Sequence, residues 1–243
     1  MSELQAAAAF YQSPIGVLAA GLLSEQLNVM WPAASVAGLG LLGIGFAAPF
    51  LCNWQACAQR CIALSPAPMG RARWPVPGRN LACTAEEGAL PFPDLSFDRI
   101  LLVHALENAE NDRRLLREVW RVLKDGGELL VVAANRAGLW AHSETTPFGR
   151  GRPYSAGQIG ALLTDSMFRA ERRVTALFLP ALLLPPPGAR ARLRMVRAAE
   201  RVGRRLAPGL AGVTVTVAVK DVYAGVPAQA VPSRRRLMLV DAA

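Results

Sequence analysis

The longest run without a charged side chain, positions 26–59, constrains this sequence more than any other feature. Its core, Val36–Cys52, has about the length that crosses a lipid bilayer, so a membrane span has to be considered. Glycines and prolines interrupt the run, however, and no basic residue flanks its end. A strand buried on both faces of a parallel sheet is equally apolar. We therefore favour a buried strand that leads into a glycine-rich bend, with a membrane span as the disfavoured alternative.

The composition favours a folded domain over a disordered or a disulfide-rich chain. Of the 243 residues, 52% are hydrophobic, which is enough for one large core over residues 1–243. The spacing of the four cysteines matches no zinc site, so we expect no metal, and no signal-peptide pattern marks the amino end. We expect reduced cysteines and a cytoplasmic location. The cysteines are Cys52, Cys57, Cys61 and Cys83.

Strand-like and helix-like segments alternate, which is typical of βαβ units around a parallel sheet. A helical extension, residues 1–34, precedes the first strand, with Ser13 and Pro14 as a helix start signal. We predict an α/β fold built on a mostly parallel sheet. The predicted strands are Ala37–Leu42, Arg60–Leu64, Asn80–Cys83, Arg99–Val103, Glu128–Ala134, Arg172–Leu179 and Val213–Lys220, the last with one face exposed.

Two further helices are predicted from periodicity and capping signals. In Asp112–Leu123, apolar residues recur at helical spacing until Asp125–Gly126–Gly127 ends the helix and turns the chain. The second is Ser155–Phe168, with Ser155 as its N-cap.

The bend after the first strand, LGLLGIGFAAPFL, contains Gly43 and Gly45 and leads into a helix near Pro49. Glycines allow close backbone approaches, and a helix N-terminus presents free N–H groups, so the bend suits a bound nucleotide or nucleoside. A tight strand-to-helix turn also needs glycine in proteins that bind nothing there. Both interpretations stay open on this stretch alone.

A second stretch makes the assignment specific. Residues 89–132 read ALPFPDLSFDRILLVHALENAENDRRLLREVWRVLKDGGELLVV. The LPF element, the D-x-S-F-D pattern and LREVWRVLKDGG followed by a strand resemble the class I S-adenosylmethionine-dependent methyltransferases, especially those called type 11. The resemblance covers about residues 36–168. It implies a Rossmann-like, seven-stranded, mostly parallel sheet with helices on both faces, and S-adenosylmethionine as cofactor.

The same resemblance implies which residues hold the cofactor. It places the turn at Gly43, Ile44 and Gly45 against the methionyl part, and a bulky residue at Gly45 is expected to abolish cofactor binding while leaving the protein folded. It places Ser65 and Pro66 at the ribose, Glu86 at the adenine, and Val103 and His104 beside the methyl group.

Three positions depart from the family pattern. Leu41 and Ala47 replace an acidic residue and a glycine, and Ser65 replaces the carboxylate that accepts hydrogen bonds from the ribose. The cofactor motifs are therefore degenerate. The alternative to an active methyltransferase is a catalytically inactive, methyltransferase-like module that pairs with another protein.

Methyl transfer needs alignment and, for a protonated acceptor, a general base. Candidates for the catalytic side chains are His104, His142 and Tyr154. The loop NRAGLWAHSETTPFGRGRPYS follows the fifth strand and is long enough to suggest a substrate lid. The candidates for contacts with a small-molecule or protein acceptor are Glu107, Asn135, Arg136, Trp140 and Arg152.

The net charge of +9 comes from the second half of the chain, where a basic helical insertion is predicted over about 182–210. In its helix, 189–207, most arginines share one arc and the apolar residues Met195, Val196, Ala199, Val202 and Leu206 lie opposite. The apolar side is expected to rest on the core. The arginine side is expected to meet an acidic protein partner, with anionic lipid as an alternative. No aromatic residues interleave for base stacking, so nucleic acid is not expected.

Overall fold

A computed structural model describes residues 3–70, 73–180 and 190–221, leaving aside the side chains of 190–193. Its centre is a seven-stranded sheet in the order β3-β2-β1-β4-β5-β7-β6. The first five strands in this order are parallel to one another, and β7 runs antiparallel to both of its neighbours. The strands are β1 Gly40–Gly45, β2 Arg60–Pro66, β3 Ala82–Ala85, β4 Phe97–Val103, β5 Leu123–Ala134, β6 Phe168–Ala176 and β7 Val213–Lys220.

Helices cover both faces of the sheet, as predicted. One hydrophobic cluster joins the sheet to the amino-terminal helices and α4, and the other joins it to α5 and α6. The helices are α1 Glu3–Gln12, α2 Pro14–Met30, α3 Ala33–Val36, α4 Ala48–Leu51, α5 Asp112–Val122, α6 Ala156–Asp165 and α7 Arg190–Leu206. Short 3-10 turns lie at Ala67–Met69, Leu139–His142 and Pro208–Leu210.

The helix start signals are confirmed. The Ser13 hydroxyl accepts a hydrogen bond from the Gly16 N–H, and α2 begins at Pro14. At Ser155 the hydroxyl accepts from the Gln158 N–H while the Gln158 side chain accepts from the Ser155 N–H, so α6 begins with a capping box.

The first strand lies three residues later than predicted, which moves Gly43 out of the turn and into the strand. A Cβ at Gly43 would lie 2.7 Å from the Cβ of Ala47 and 2.8 Å from a methyl group of Leu51, so the glycine lets α4 pack on β1. The helix expected near Pro49 is only four residues long. The apolar run considered as a membrane span is therefore a buried strand, a bend and this short helix.

Other boundaries differ by a few residues. Strand β3 is Ala82–Ala85 instead of Asn80–Cys83, and β6 is Phe168–Ala176 instead of Arg172–Leu179. The helix α5 ends at Val122, and β5 begins at once, so the predicted stop Asp125–Gly126–Gly127 lies inside the strand.

Strand β7 has the predicted bounds but not the predicted exposure. Thr214 and Thr216 are buried, like the three valines next to them in the strand. The reason is topological, because β7 lies between β5 and β6 and its two faces are covered by the two hydrophobic clusters. The expectation of one exposed face is wrong.

In the described part of the chain, no single helix is long and apolar enough to cross a membrane. The helices α1 and α2 together reach the required length and composition, but they meet at an angle of 92°. The first part of the predicted basic insertion, residues 182–189, lies outside the described residues.

Candidate active site

The carboxyl ends of the parallel strands meet at one edge of the sheet, and the strand order reverses between β1 and β4. In open α/β sheets, ligands bind in the crevice outside such a switch point. The segments that lie at this edge are the bend after β1, the segment after β4 and the loop after β5.

The bend after β1, residues 45–47, packs directly on the end of β4. Gly45 has a φ of +81°, and a Cβ there would lie 2.3 Å from the carbonyl oxygen of Val103. The Phe46 N–H donates to that same oxygen. The backbone itself thus favours glycine at position 45, so a bulky residue there is expected to destabilise the fold as well as to affect cofactor binding.

Aromatic side chains cover this bend. The Tyr11 ring, at the end of α1, stacks on Phe46 with a centroid distance of 5.0 Å and an interplanar angle of 9°. Phe148, from the loop after β5, meets Tyr11 and His104 edge-on. We call Phe10, Tyr11, Phe46, Trp140 and Phe148 the aromatic cover.

His104 follows β4 with a positive φ of 51° and is almost fully buried. Its Nε2 lies 2.9 Å from the Tyr11 hydroxyl oxygen, and its Nδ1 has no hydrogen-bond partner among the described residues. Burial lowers the pKa of His104 to about 3, so the ring is neutral at pH 7. One ring nitrogen of the neutral imidazole donates and the other accepts. Nδ1 is therefore a buried hydrogen-bonding atom that no described residue satisfies.

Glu107 is the buried carboxyl of the site. Its Oε1 accepts a hydrogen bond of 2.6 Å from the Ala134 N–H at the end of β5, whereas Oε2 has no partner among the described residues. Burial raises the pKa of Glu107 to about 7. Its charge also contributes to the raised pKa values of Tyr11 and Tyr154. A carboxyl with this pKa is suited to exchange a proton near neutral pH.

The other predicted catalytic residues lie apart from this pair. The Tyr154 hydroxyl donates to Asp112 Oδ2 at 2.7 Å, which ties the loop to the start of α5. Burial, more than this hydrogen bond, raises the Tyr154 pKa. His142 is exposed in the 3-10 turn Leu139–His142.

Most of the side chains predicted to contact the acceptor instead donate hydrogen bonds to backbone carbonyls of the protein. Asn135 donates to the carbonyl oxygens of Gly209 and Ala211, and the Trp140 indole N–H donates to the Leu179 carbonyl. The Arg152 guanidinium donates to the Ala109 carbonyl, and Arg136 is exposed. Each of these bonds fixes the loop after β5.

The positions predicted at the ribose and adenine differ in exposure. Ser65 and Pro66 end β2 and are buried, whereas Glu86 lies just beyond β3 and is exposed. Its neighbour Glu87, which the sequence analysis missed, accepts hydrogen bonds from the N–H groups of Glu110 and Asn111. Burial raises the Glu87 pKa.

Comparison with known proteins assigns the central segment. Residues 41–131 match a family model described as "Methyltransferase domain". The chain is 47% identical over 53 residues to a demethylmenaquinone methyltransferase of Tropheryma whipplei. It is 48% identical over 54 residues to a ubiquinone/menaquinone biosynthesis C-methyltransferase, UbiE, of Bordetella avium. The chain spans about a fifth of the length of these relatives, 22% and 20%, and the matches cover 22% of the chain.

A solved structure shares the fold over most of the chain. It is an S-adenosylmethionine-dependent methyltransferase of Thermotoga maritima, titled a possible histamine N-methyltransferase, with a TM-score of 0.57 and 18% identity. The likeness covers 85% of this chain and 91% of that one. The chain thus has the fold of the class I S-adenosylmethionine-dependent methyltransferases. Residues 41–131, the segment that matches the methyltransferase family model, include the LPF and LREVWRVL motifs that predicted the resemblance.

S-adenosylmethionine, the cofactor of this class, carries a positively charged sulfur and an ammonium group. The unpartnered Oε2 of Glu107 and the neighbouring aromatic rings fit a cationic ligand, because carboxylates and ring faces both attract positive charge. The residues that fit the cofactor's charged end are Glu107, His104 and the aromatic cover.

Among the described residues no group of three or more His, Cys, Asp or Glu side chains could hold a metal ion.

The Tyr11 hydroxyl offers a test of the buried contact. We expect Tyr11→Phe to lower the free energy of unfolding by about 1–3 kcal/mol, because His104 Nε2 loses its partner in a buried site. Urea unfolding followed by circular dichroism measures this. In the matched control Tyr154→Phe the abandoned partner, Asp112, is only partly buried, so a loss of about 1 kcal/mol is expected. Equal losses for the two variants would contradict the description of His104.

Proposed function

We propose that this chain transfers a methyl group from S-adenosylmethionine to a small-molecule acceptor at the carboxyl edge of the sheet. The observation that carries the proposal is Glu107, a buried carboxyl with one unpartnered oxygen in the segment after β4, within the residues that match the methyltransferase family model. We also propose that the protein is located in the cytoplasm, which the four free cysteines support.

Different residues of the site accept the proton, orient the acceptor and exclude water. When bound, S-adenosylmethionine supplies a methyl group on a sulfonium, and displacement by the acceptor leaves a neutral thioether. Glu107 accepts the proton that the acceptor's O–H, N–H or acidic C–H releases, which its pKa near 7 favours. Neutral His104 orients the acceptor through Nδ1, and the aromatic cover excludes water.

We propose a small aromatic acceptor such as a quinol. The aromatic cover presents apolar rings next to His104 and Glu107, which suits an aromatic ring better than a polar peptide. The relatives' names point to acceptors of the same kind, over the short matched segment.

A second candidate function is the inactive, methyltransferase-like binding module. Two observations favour it: the Tyr11 ring covers the bend after β1, and Ser65 stands where the family has a ribose-binding carboxylate. A neutral hydroxyl contributes about 1 kcal/mol to a hydrogen bond, against about 1.5–3 for a charged group. If the chain is such an inactive module, its affinity for the cofactor is expected to be weak or absent.

Calorimetry with S-adenosylmethionine and S-adenosylhomocysteine distinguishes the two candidates. The ligands differ in the charge on sulfur, so ionised Glu107 is expected to favour the sulfonium. We expect the affinity ratio of the two ligands to rise about tenfold between pH 6 and pH 8, as Glu107 ionises around pH 7.

The matched variants are Glu107→Gln, which keeps the shape but not the charge, and Glu144→Gln, at an exposed position in the loop after β5. The first should remove the pH dependence of the ratio, and the second should leave it intact. No heat and no thermal shift with either ligand at millimolar concentration would establish the inactive module. Binding without a pH-dependent ratio would remove Glu107 from the proposed role.

A further inference from the structure

The orientation of α7 differs from that predicted by its sequence pattern. The residues facing inward are Val196 and Glu200, and Gly203 lies against the Phe178 ring. The Glu200 carboxylate accepts hydrogen bonds from the N–H groups of Leu177 and Phe178 at 3.0 and 2.7 Å. The helix is thus docked by one acidic and a few small or apolar residues. The expectation that its apolar side rests on the core holds for Val196 and is wrong for Met195, Val202 and Leu206.

The outward turn of α7 leaves an apolar row in solvent. Met195 is 72% exposed, Val202 54% and Leu206 80%. Leu210, in the following 3-10 turn, is 56% exposed. At 100° per residue the first three lie within a 40° arc of the helix. We call these four residues the α7 row.

Arginines flank the α7 row along one side. Arg194, Arg201 and Arg205 share an arc next to it and are exposed, and no described residue forms an ion pair with them. Arg197 pairs with Glu25 of α2. Glu200, the single carboxylate in the helix, is turned inward. The solvent-facing side of α7 therefore combines apolar side chains with uncompensated positive charge.

We propose that this side of α7 binds the surface of an anionic lipid bilayer. A helix with an apolar row and a cationic flank lies in the plane of the bilayer interface, with its apolar side chains among the acyl chains and its arginines at the phosphates. A stable protein interface needs about 20–30 residues a side, and four apolar side chains on one convex helix supply far fewer. Charge and shape together favour lipid over the acidic protein partner.

The surface is close to the candidate active site. The 3-10 turn that carries Leu210 is bonded to the end of β5, since the Asn135 amide donates to the carbonyls of Gly209 and Ala211. Gly138 packs on Ala211, and Leu139 beside it is also exposed. A bilayer in contact with the α7 row therefore lies next to the end of β5 and the first residues of the loop that follows it.

Vesicle co-sedimentation tests the proposal with the whole chain and without cofactor. We expect binding to phosphatidylcholine vesicles that contain phosphatidylglycerol, and little binding to phosphatidylcholine alone. The double variant Arg201→Gln/Arg205→Gln should bind about 30-fold more weakly, since each basic residue at an anionic surface contributes about fivefold. Val202→Glu/Leu206→Glu should bind at least as weakly as that. Raising the salt concentration should weaken wild-type binding as well.

The control is Val29→Glu, which places one glutamate on a comparably exposed valine, 64% exposed, on α2. It should bind like the wild type. Absence of binding to anionic vesicles at low salt overturns the proposal, and so does equal binding by the control and the double variants. Capture of a purified acidic protein without vesicle binding assigns the surface to a protein instead. None of these results depends on methyl transfer, so either proposal can fail alone.

Discussion

Replacing Gly45 with alanine is expected to lower the free energy of unfolding by about 3–5 kcal/mol. Two costs add. The residue has a φ of +81°, which L side chains rarely adopt, and the new Cβ would lie 2.3 Å from the Val103 carbonyl oxygen. That oxygen accepts from the Phe46 N–H, so the backbone cannot retreat without losing a buried hydrogen bond. Urea unfolding followed by circular dichroism gives the free energy from the midpoint and slope.

Gly21→Ala is the matched control. Gly21 lies in α2, and no atom lies within 4 Å of the Cβ that alanine would add. Alanine is the better helix former by about 1 kcal/mol, so this variant should be as stable as the wild type or more stable. If the two variants unfolded at the same urea concentration, the close contact between the bend after β1 and the end of β4 would be refuted.

Replacing Glu107 with glutamine is expected to change how stability depends on pH. Burial raises the folded-state pKa of this carboxyl from 4.5 to about 7. Between these values the unfolded chain releases the proton while the folded chain retains it, so stability falls as the pH rises. The loss amounts to about 3 kcal/mol by pH 8, at about 1.4 kcal/mol per pKa unit. Below pH 4.5 both states are protonated and the contribution is zero.

The difference between Glu107→Gln and wild type isolates this effect. His104 acts in the opposite direction, because its folded-state pKa is lowered from 6.5 to about 3, so its contribution is complete above pH 6.5 and is lost as the pH falls. The glutamine variant should gain about 3 kcal/mol relative to wild type between pH 4.5 and pH 8. Urea titrations at several pH values measure this gain, with Glu144→Gln as the control that should follow the wild type. A constant difference would show that Glu107 is not buried as described.

The fold was predictable because its signals are local and repeated. Alternation of apolar segments identified strands in the regions of all seven, and the cap residues Ser13 and Ser155 fixed two helix starts. The bounds of β1 were predicted wrongly because a glycine can serve either a turn or a close packing contact. Gly43 suited a turn, but the structure uses its missing Cβ to admit Leu51, a contact that no local pattern encodes.

The candidate site was less predictable because its partners come from distant parts of the chain. The motif after β4 pointed to His104 and Glu107, but not to Tyr11, which lies 93 positions before His104 and contacts it. The aromatic residues of α1 belong to no motif, and Phe148 was not among the candidates predicted from its loop. The orientation of α7 was missed for a related reason. Its sequence has an apolar arc, but the buried bonds of Glu200 to Leu177 and Phe178 decide which side faces inward.

The position of β7 has a consequence for biosynthesis. This strand is the last described, and it separates β5 from β6. While the ribosome is still making residues 213–220, β6 has no neighbour to pair with and β5 keeps one open edge. The sheet therefore closes only after residues 213–220 have left the ribosome. A chain cut before residue 213 would present that edge to other molecules and would be prone to aggregate.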